Sequence, residues 1–224
     1  MVDTDYLKVK YSYNLKPKSE YPVFFCKNII KRFYLSKQSS FLEIGSGRGD
    51  FTNIFHELGI KHIYATDYDS KSKIYLNDEI NFHEVDMNQD TLPYEDNKFD
   101  LIYSKSLIEH LVNPENYMRE CFRVLKKGGI LITFTPNWET QFKHFYDDIT
   151  HIRPYTKISL KEAHLLNGFD NCIVEEFFQL PKTWRYPFLK YVCKLIGFFT
   201  PIRSNYKILR WSKETMLLSI AKKF

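Results

Sequence analysis

The chain has 224 residues, of which 44% are hydrophobic and 26% charged, with a formal net charge of +5. That balance and length describe one globular, soluble domain that can bury about 70% of the surface its unfolded chain would expose, and they exclude repeat and low-complexity classes. A secretory leader and a membrane span are also excluded as expectations: MVDTDYLKVK is charged from the start, and the apolar stretch from Trp184 to Pro201 is broken by Arg185, Lys190 and Lys194.

Residues 1–21 read as a polar arm. Pro22 then opens a helical pattern with Phe25, Ile29 and Phe33 at i, i+4 and i+8. Strand FLEI (41–44) leads into GSGRG, and a helix over DFTNIFHEL stops at Gly59. Strand HIYAT ends in Asp67-Tyr68-Asp69, and NFHEV is followed by Asp86. Next comes the buried strand FDLIYS. Asn113 caps a helix with Tyr117, Cys121, Val124 and Leu125 on one face, which Gly128-Gly129 is expected to stop. ILITFT is the next strand. Ser159 and Glu162 have the spacing of a capping box for a helix ending at Gly168, and NCIVEEFF and TMLLSIA complete about seven strands. Strands alternating with helices predict a parallel, doubly wound α/β sheet. The four cysteines (Cys26, Cys121, Cys172, Cys193) are far apart without a CxxC pair, so buried reduced thiols in a cytosolic protein are expected.

The three alternate glycines raise the question of a ligand. A dinucleotide loop wants G-x-G-x-x-G, but the place of the third glycine holds Asp50, and a Walker loop would need Gly-Lys-Ser/Thr. Glu43, two residues before Gly45, would repel a pyrophosphate; a cationic ligand suits it better.

On these residues the sequence resembles the class I S-adenosylmethionine (SAM)-dependent methyltransferases. The run Glu43-Ile-Gly45-Ser46-Gly47-Arg-Gly49 matches the family's first motif, and the ordered series continues through residue 170 or so. The resemblance implies that Asp67, beside Tyr68, takes the ribose hydroxyls. It also implies that Asp86 and Met87 read the adenine, and that Ser104, in FDLIYSKSLIEHL, ends the fourth strand at the cofactor. The expected fold is a Rossmann-like, mostly parallel seven-stranded sheet with an antiparallel last strand and helices on both faces. One domain would span residues 1–224, with an active-site loop at 136–157 and a basic amphipathic insertion at 181–213.

The acceptor is read from the loops after the fourth and fifth strands. Tyr103-Ser-Lys-Ser106 lacks the Asn/Asp-Pro-Pro-Tyr/Phe run of the families that methylate amines on DNA bases or glutamine, which disfavours that class, and an oxygen acceptor is favoured over carbon. Candidate catalytic groups are His110, after Glu109, and His151 with Asp147 and Tyr155 in HFYDDITHIRPY; Asp147 could hold the ring of His151 if the loop turns helically. Arg153 would touch the acceptor. THIRPYT resembles small methyltransferases that modify sugars or quinone precursors. No metal site is expected, because adjacent Asp147 and Asp148 would point apart as loop charges.

Between Pro181 and Lys213 lie eight Lys or Arg and no acid, leaving 24 basic and 27 acidic residues elsewhere, a net of −3. Arg185 and Lys190 could therefore meet an anionic acceptor such as an activated sugar, and 184–200 a membrane surface at the inner face of the cell. Phe188, Val192, Ile196 and Phe199 share a side. Nucleic acid is disfavoured for want of a recognisable module, and an oligomer stays open. The sequence reading is a cytoplasmic SAM-dependent O-methyltransferase acting on a nucleotide- or lipid-linked sugar in surface polysaccharide biosynthesis. Its alternatives are a quinone-type or other small-molecule methyltransferase and a non-catalytic SAM-binding protein.

Overall fold

A computed structural model describes residues 20–201 and 204–224. Most of the expected arm (1–19), and Arg203 of the basic insertion, lie outside the described residues. One sheet organises the chain, in the order β3-β2-β1-β4-β5-β7-β6. Its strands are β1 (Ser40–Ile44), β2 (His62–Asp67), β3 (Asn81–Glu84), β4 (Phe99–Lys105), β5 (Leu125–Pro136), β6 (Asn171–Phe177) and β7 (Met216–Lys222). β1 to β5 pair in parallel, and β7 runs antiparallel between β5 and β6. The strand order reverses between β1 and β4, where a doubly wound sheet opens a crevice beyond its carboxyl ends.

Helix α1 (Tyr21–Arg32) covers one face. Its buried Phe25 sits against Phe51, Phe134, Phe177 and Trp184, with ring centroids 5.1 to 6.0 Å apart. With α2 (Thr52–Glu57) it closes a core containing Phe41, Phe55, Ile63 and Tyr103. The other face is covered by α3 (Pro114–Val124), and its core holds Leu42, Ile102, Tyr117, Cys121 and Leu131. All four cysteines are buried and unpaired with one another.

Two boundaries differ from the sequence reading. Helix α3 ends at Val124, before the glycines, and β5 runs through them. The reason is Lys223, whose Nζ donates to the carbonyls of Phe122 (2.7 Å), Arg123 (3.2 Å) and Leu125 (2.8 Å), so a cation at the helix carboxyl end caps it. After the short α4 (Trp138–Gln141), helix α5 (Lys157–Leu166) starts one turn earlier than expected. Its capping box is Thr156 with Ser159, not Ser159 with Glu162, because Thr156 adopts the extended cap backbone and its Oγ1 accepts from Ser159 N at 3.2 Å.

Between β6 and β7 the insertion forms α6 (Pro181–Arg185), α7 (Leu189–Phe199) and α8 (Lys207–Lys213). Trp184 ties it to the sheet: its ring stacks on Phe177 at 5.4 Å and its Nε1 donates to Phe178 O at 2.8 Å. No helix among the described residues is long and apolar enough to cross a membrane.

Candidate active site

A cavity of about 340 Å3 opens at the reversal between β1 and β4. Four loops line it: Gly45 and Gly47 after β1, Asp67 and Tyr68 after β2, Val85 to Asn88 after β3, and Lys105 to Leu107 with His110 and Leu111 after β4. Thr150 joins them from the loop beyond β5.

The β1 loop is held by backbone bonds. Gly45 N and Ser46 N donate to Thr66 O at 2.8 and 3.1 Å. Gly47, at φ +52, turns its N–H to Asp67 Oδ2 at 2.8 Å, a left-handed conformation that strains any other residue. Gly49, at φ +68, lies so close to Leu76 that an added Cβ would come within 2.5 Å of its Cδ2. Asp67 is thus fixed by the loop it helps to shape, and its other oxygen accepts from Asp69 N at 3.1 Å. Burial pushes its carboxyl above the usual range, against the pull of those two amides.

Glu43 lies beneath the loop, buried, with Thr52 Oγ1 donating to it at 2.5 Å. Burial raises its carboxyl to about 8, opposed by the Thr52 bond. It supports the loop from below and does not line the cavity. Ser46 and Gly49 likewise form the loop without lining it. Ser104 is fully buried and its hydroxyl faces Tyr117 Oη at 2.7 Å, so the strand-end position at the cavity belongs to Lys105 and Ser106 instead. Burial lowers the Lys105 ammonium, while Glu109, Glu43 and Asp50 hold it up.

The β4 and β5 loops are sewn together. Glu109 O accepts from both Ile152 N and Arg153 N at 3.0 Å. His110 Nδ1 lies 3.1 Å from Thr150 O and 3.0 Å from Thr150 Oγ1, and His151 Nδ1 lies 2.7 Å from Phe145 O. A carbonyl only accepts, so His151 Nδ1 donates to Phe145 O, while His110 Nδ1 meets the Thr150 carbonyl and a hydroxyl that can take either role. The rings stand 4.7 Å apart. Glu109 is fully buried: its Oε2 accepts from Thr135 Oγ1 at 3.0 Å, and its Oε1 has no hydrogen-bond partner among the described residues. Burial pushes this carboxyl to about 7. One ligating atom from each of Glu109, His110 and His151 falls within 4.8 Å of the others, so these three could also ligate a divalent cation.

Asp148 Oδ2 is 3.6 Å from His151 Nε2, and Asp147 is exposed at the end of the turn Phe145–Asp147. Tyr155 is buried in the core, its carbonyl accepting from Trp138 N at 3.1 Å. Arg153 is exposed and donates to Val112 O at 3.1 Å. Arg185 and Lys190 are not brought to the cavity; Lys190 lines a separate depression with Asn28, Arg32 and Glu175 at the β6 edge.

A model of the methyltransferase domain matches residues 42–133, which carry β1 to β5 and the four loops before Thr150. Those residues form a methyltransferase domain, set in the Rossmann-like sheet described above. The cofactor of such a domain is SAM. The phosphoethanolamine N-methyltransferase of Plasmodium falciparum is 30% identical over 150 residues, 61% of this chain and 54% of that protein. A ubiquinone/menaquinone biosynthesis C-methyltransferase of Vibrio cholerae is 32% identical over 100 residues, 41% of this chain and 38% of that protein. The chain therefore spans about half the length, or less, of these curated relatives. In fold it is similar to the Haemonchus contortus phosphoethanolamine N-methyltransferase 2 in complex with phosphomonomethylethanolamine and S-adenosylhomocysteine. The TM-score is 0.61 at 17% identity, covering 88% of this chain and 52% of that one.

The methyltransferase cavity fits SAM on its own chemistry. Asp67 and Asp86 supply acceptors for hydroxyl and amine donors, and Val85, Met87 and Leu111 supply apolar walls for a flat ring. The sequence missed Lys105, Leu107, Asn88 and Thr150. Ser106 carries the one backbone signal at this place, a non-glycine φ of +55, which no residue pattern announces.

Proposed function

We propose that the chain transfers a methyl group to a hydroxyl of a small acceptor, most specifically a nucleotide- or lipid-linked sugar. The observation that carries this reading is His110 on the cavity wall with the His151 ring 4.7 Å from it, each Nδ1 facing a carbonyl oxygen. A hydroxyl ionises far above neutral pH, so its attack is helped by a positioned proton acceptor, worth about 10²- to 10⁴-fold. When bound, SAM supplies an activated methyl on a sulfonium. Asp67, Asp86 and Met87 would hold the cofactor, and His151 Nε2 would take the hydroxyl proton as the acceptor oxygen is methylated. Asp148, 3.6 Å from Nε2, stabilises the resulting imidazolium, and the Phe145 carbonyl keeps the ring in register. Water exclusion falls to the loop from Phe145 to Arg153, tied down at Glu109.

A second reading comes from the relative named for phosphoethanolamine, whose ammonium must also lose a proton before it attacks. The assay separates the two: a panel of sugar nucleotides and phosphoethanolamine is incubated with SAM, and the methylated product is identified by mass. Products on sugar hydroxyls support the first reading; phosphoethanolamine methylation alone contradicts it. With the acceptor in hand, His151→Ala lowers kcat about 10²-fold with SAM affinity unchanged. If His110→Ala does so instead, the base is His110; if neither does, no imidazole base operates. Dialysis against a chelator leaves the rate unchanged if these groups carry protons; loss restored by a divalent cation makes them metal ligands.

A further inference from the structure

Helix α7 is seated the wrong way round for a helix that serves only the core. Its buried positions are the small residues Cys193 and Gly197. Gly197 lies so close to α8 that an added Cβ would meet Ser212 O at 2.7 Å. The large apolar side chains face outward instead. Phe188 is 63% exposed, Tyr191 77%, Leu195 64%, Phe198 80% and Phe199 76%. Their spacing, i, i+3, i+7, i+10 and i+11, places all five in one stripe of a 3.6-residue helix. The surface continues onto α8, where Ile208 and Tyr206 are also exposed, and an apolar groove lined by Leu195, Ile196, Phe199 and Leu209 joins the two helices.

The charges of the insertion itself have one sign, with Glu176 and Glu214 from outside it lying against Lys194 and Arg210. Described residues of 181–213 include seven Lys or Arg and no acid. Lys194 is taken up by Glu176 at 2.8 Å, and Lys213 by Thr200 O at 2.6 Å. Lys182, Arg185 and Lys207 are exposed. A protein surface that turns several aromatic rings to water pays a penalty of hydration at each; an apolar stripe with a basic surround is matched by an interface that is apolar inside and anionic outside.

We propose that the α7–α8 surface docks on an anionic lipid bilayer, with the stripe from Phe188 to Phe199 entering the headgroup and acyl boundary and the flanking cations on the lipid phosphates. This does not depend on which acceptor the enzyme takes. A bilayer is favoured over a second copy of the chain because the cations across the described insertion would meet the same cations in a self-pair.

The test is sedimentation of the purified chain with vesicles of pure phosphatidylcholine and of phosphatidylcholine with 30 mol% phosphatidylglycerol. The expected result is binding to the anionic vesicles at least about tenfold tighter than to the neutral ones, weakened by 0.5 M salt. Leu195→Ser/Phe198→Ser, two exposed positions, should cut that binding at least about tenfold with the circular dichroism spectrum unchanged. Single Phe198→Ser is the fallback if the double variant fails to fold. Absence of binding to anionic vesicles, or binding indifferent to these substitutions, overturns the proposal. So does a wild-type dimer in sedimentation velocity that Phe198→Ser turns into monomer without any vesicle binding, since the occupant would then be a second copy.

Discussion

The cofactor half of the cavity and its acceptor half are built by different means. The loops after β1, β2 and β3 are shaped by short-range backbone demands: Gly47 gives its N–H to Asp67, and Asp67 takes a second from Asp69. The loops after β4 and β5 are shaped by contacts some 40 positions apart, His110 with Thr150 and Glu109 with Ile152 and Arg153. The first half binds through geometry that a motif can encode. The second gathers titratable groups whose behaviour depends on burial, so substitutions in the two halves should fail in different ways.

The largest effect is expected at the cofactor half. Gly47→Val forces a β-branched residue to φ +52 and lifts the amide from Asp67, so SAM affinity in a calorimetric titration should fall by about 100-fold or more. Wild-type affinity would mean that the loop is only a turn.

A smaller effect concerns pH. An unfolded glutamate ionises at about 4.5, whereas folded Glu43 ionises at about 8. Between those values the unfolded chain has given up a proton that the fold retains. The contribution is therefore fully present below about pH 4.5 and lost as pH rises through 8. Glu43→Gln should match wild type in thermal melts at pH 5 and melt several degrees higher at pH 8.5. Equal melting temperatures at both pH values would show that Glu43 is solvated.

The smallest effect is expected outside both halves. Arg185→Gln/Lys190→Gln should leave the acceptor KM within about twofold, because Lys190 sits with Glu175 of the β6 edge strand, away from the β1/β4 crevice. Binding to anionic vesicles should weaken severalfold. A large rise in KM would bring the insertion back to the acceptor.

Legibility in the sequence divides along the same line. The places of Gly45, Gly47, Asp67, Asp86 and Met87 at the cavity were legible because each depends on its neighbours in the chain and on a strand end, whereas Glu43 and Gly49 belong to the loop without lining the cavity. Alternation of strands and helices likewise gave the sheet and its order of elements. Ser104 was misplaced by one residue, since a strand's alternation decides which face a hydroxyl takes and Tyr117 claims it from behind. The Asp148 carboxylate near His151 required knowing where the turn after Phe145 ends. Helix α3 stopped early because of Lys223, about 100 positions away, a cap no local pattern contains. The α7 periodicity was read on Phe188, Val192, Ile196 and Phe199, whereas the exposed stripe takes in Tyr191, Leu195 and Phe198, because the close seat of Gly197 on α8 sets the rotation of the helix.

The division into a binding half and a proton-handling half is tested most directly by calorimetric titration of SAM into two variants side by side. Asp67→Ala removes the carboxylate that the β1 loop and its ligand share, and hydrogen bonds to a charged group are worth about 1.5–3 kcal/mol. Its SAM affinity should fall at least about tenfold, with circular dichroism unchanged, while His151→Ala should bind SAM as the wild type does. An unchanged affinity for Asp67→Ala, or a loss in His151→Ala as large as in Asp67→Ala, would contradict the account.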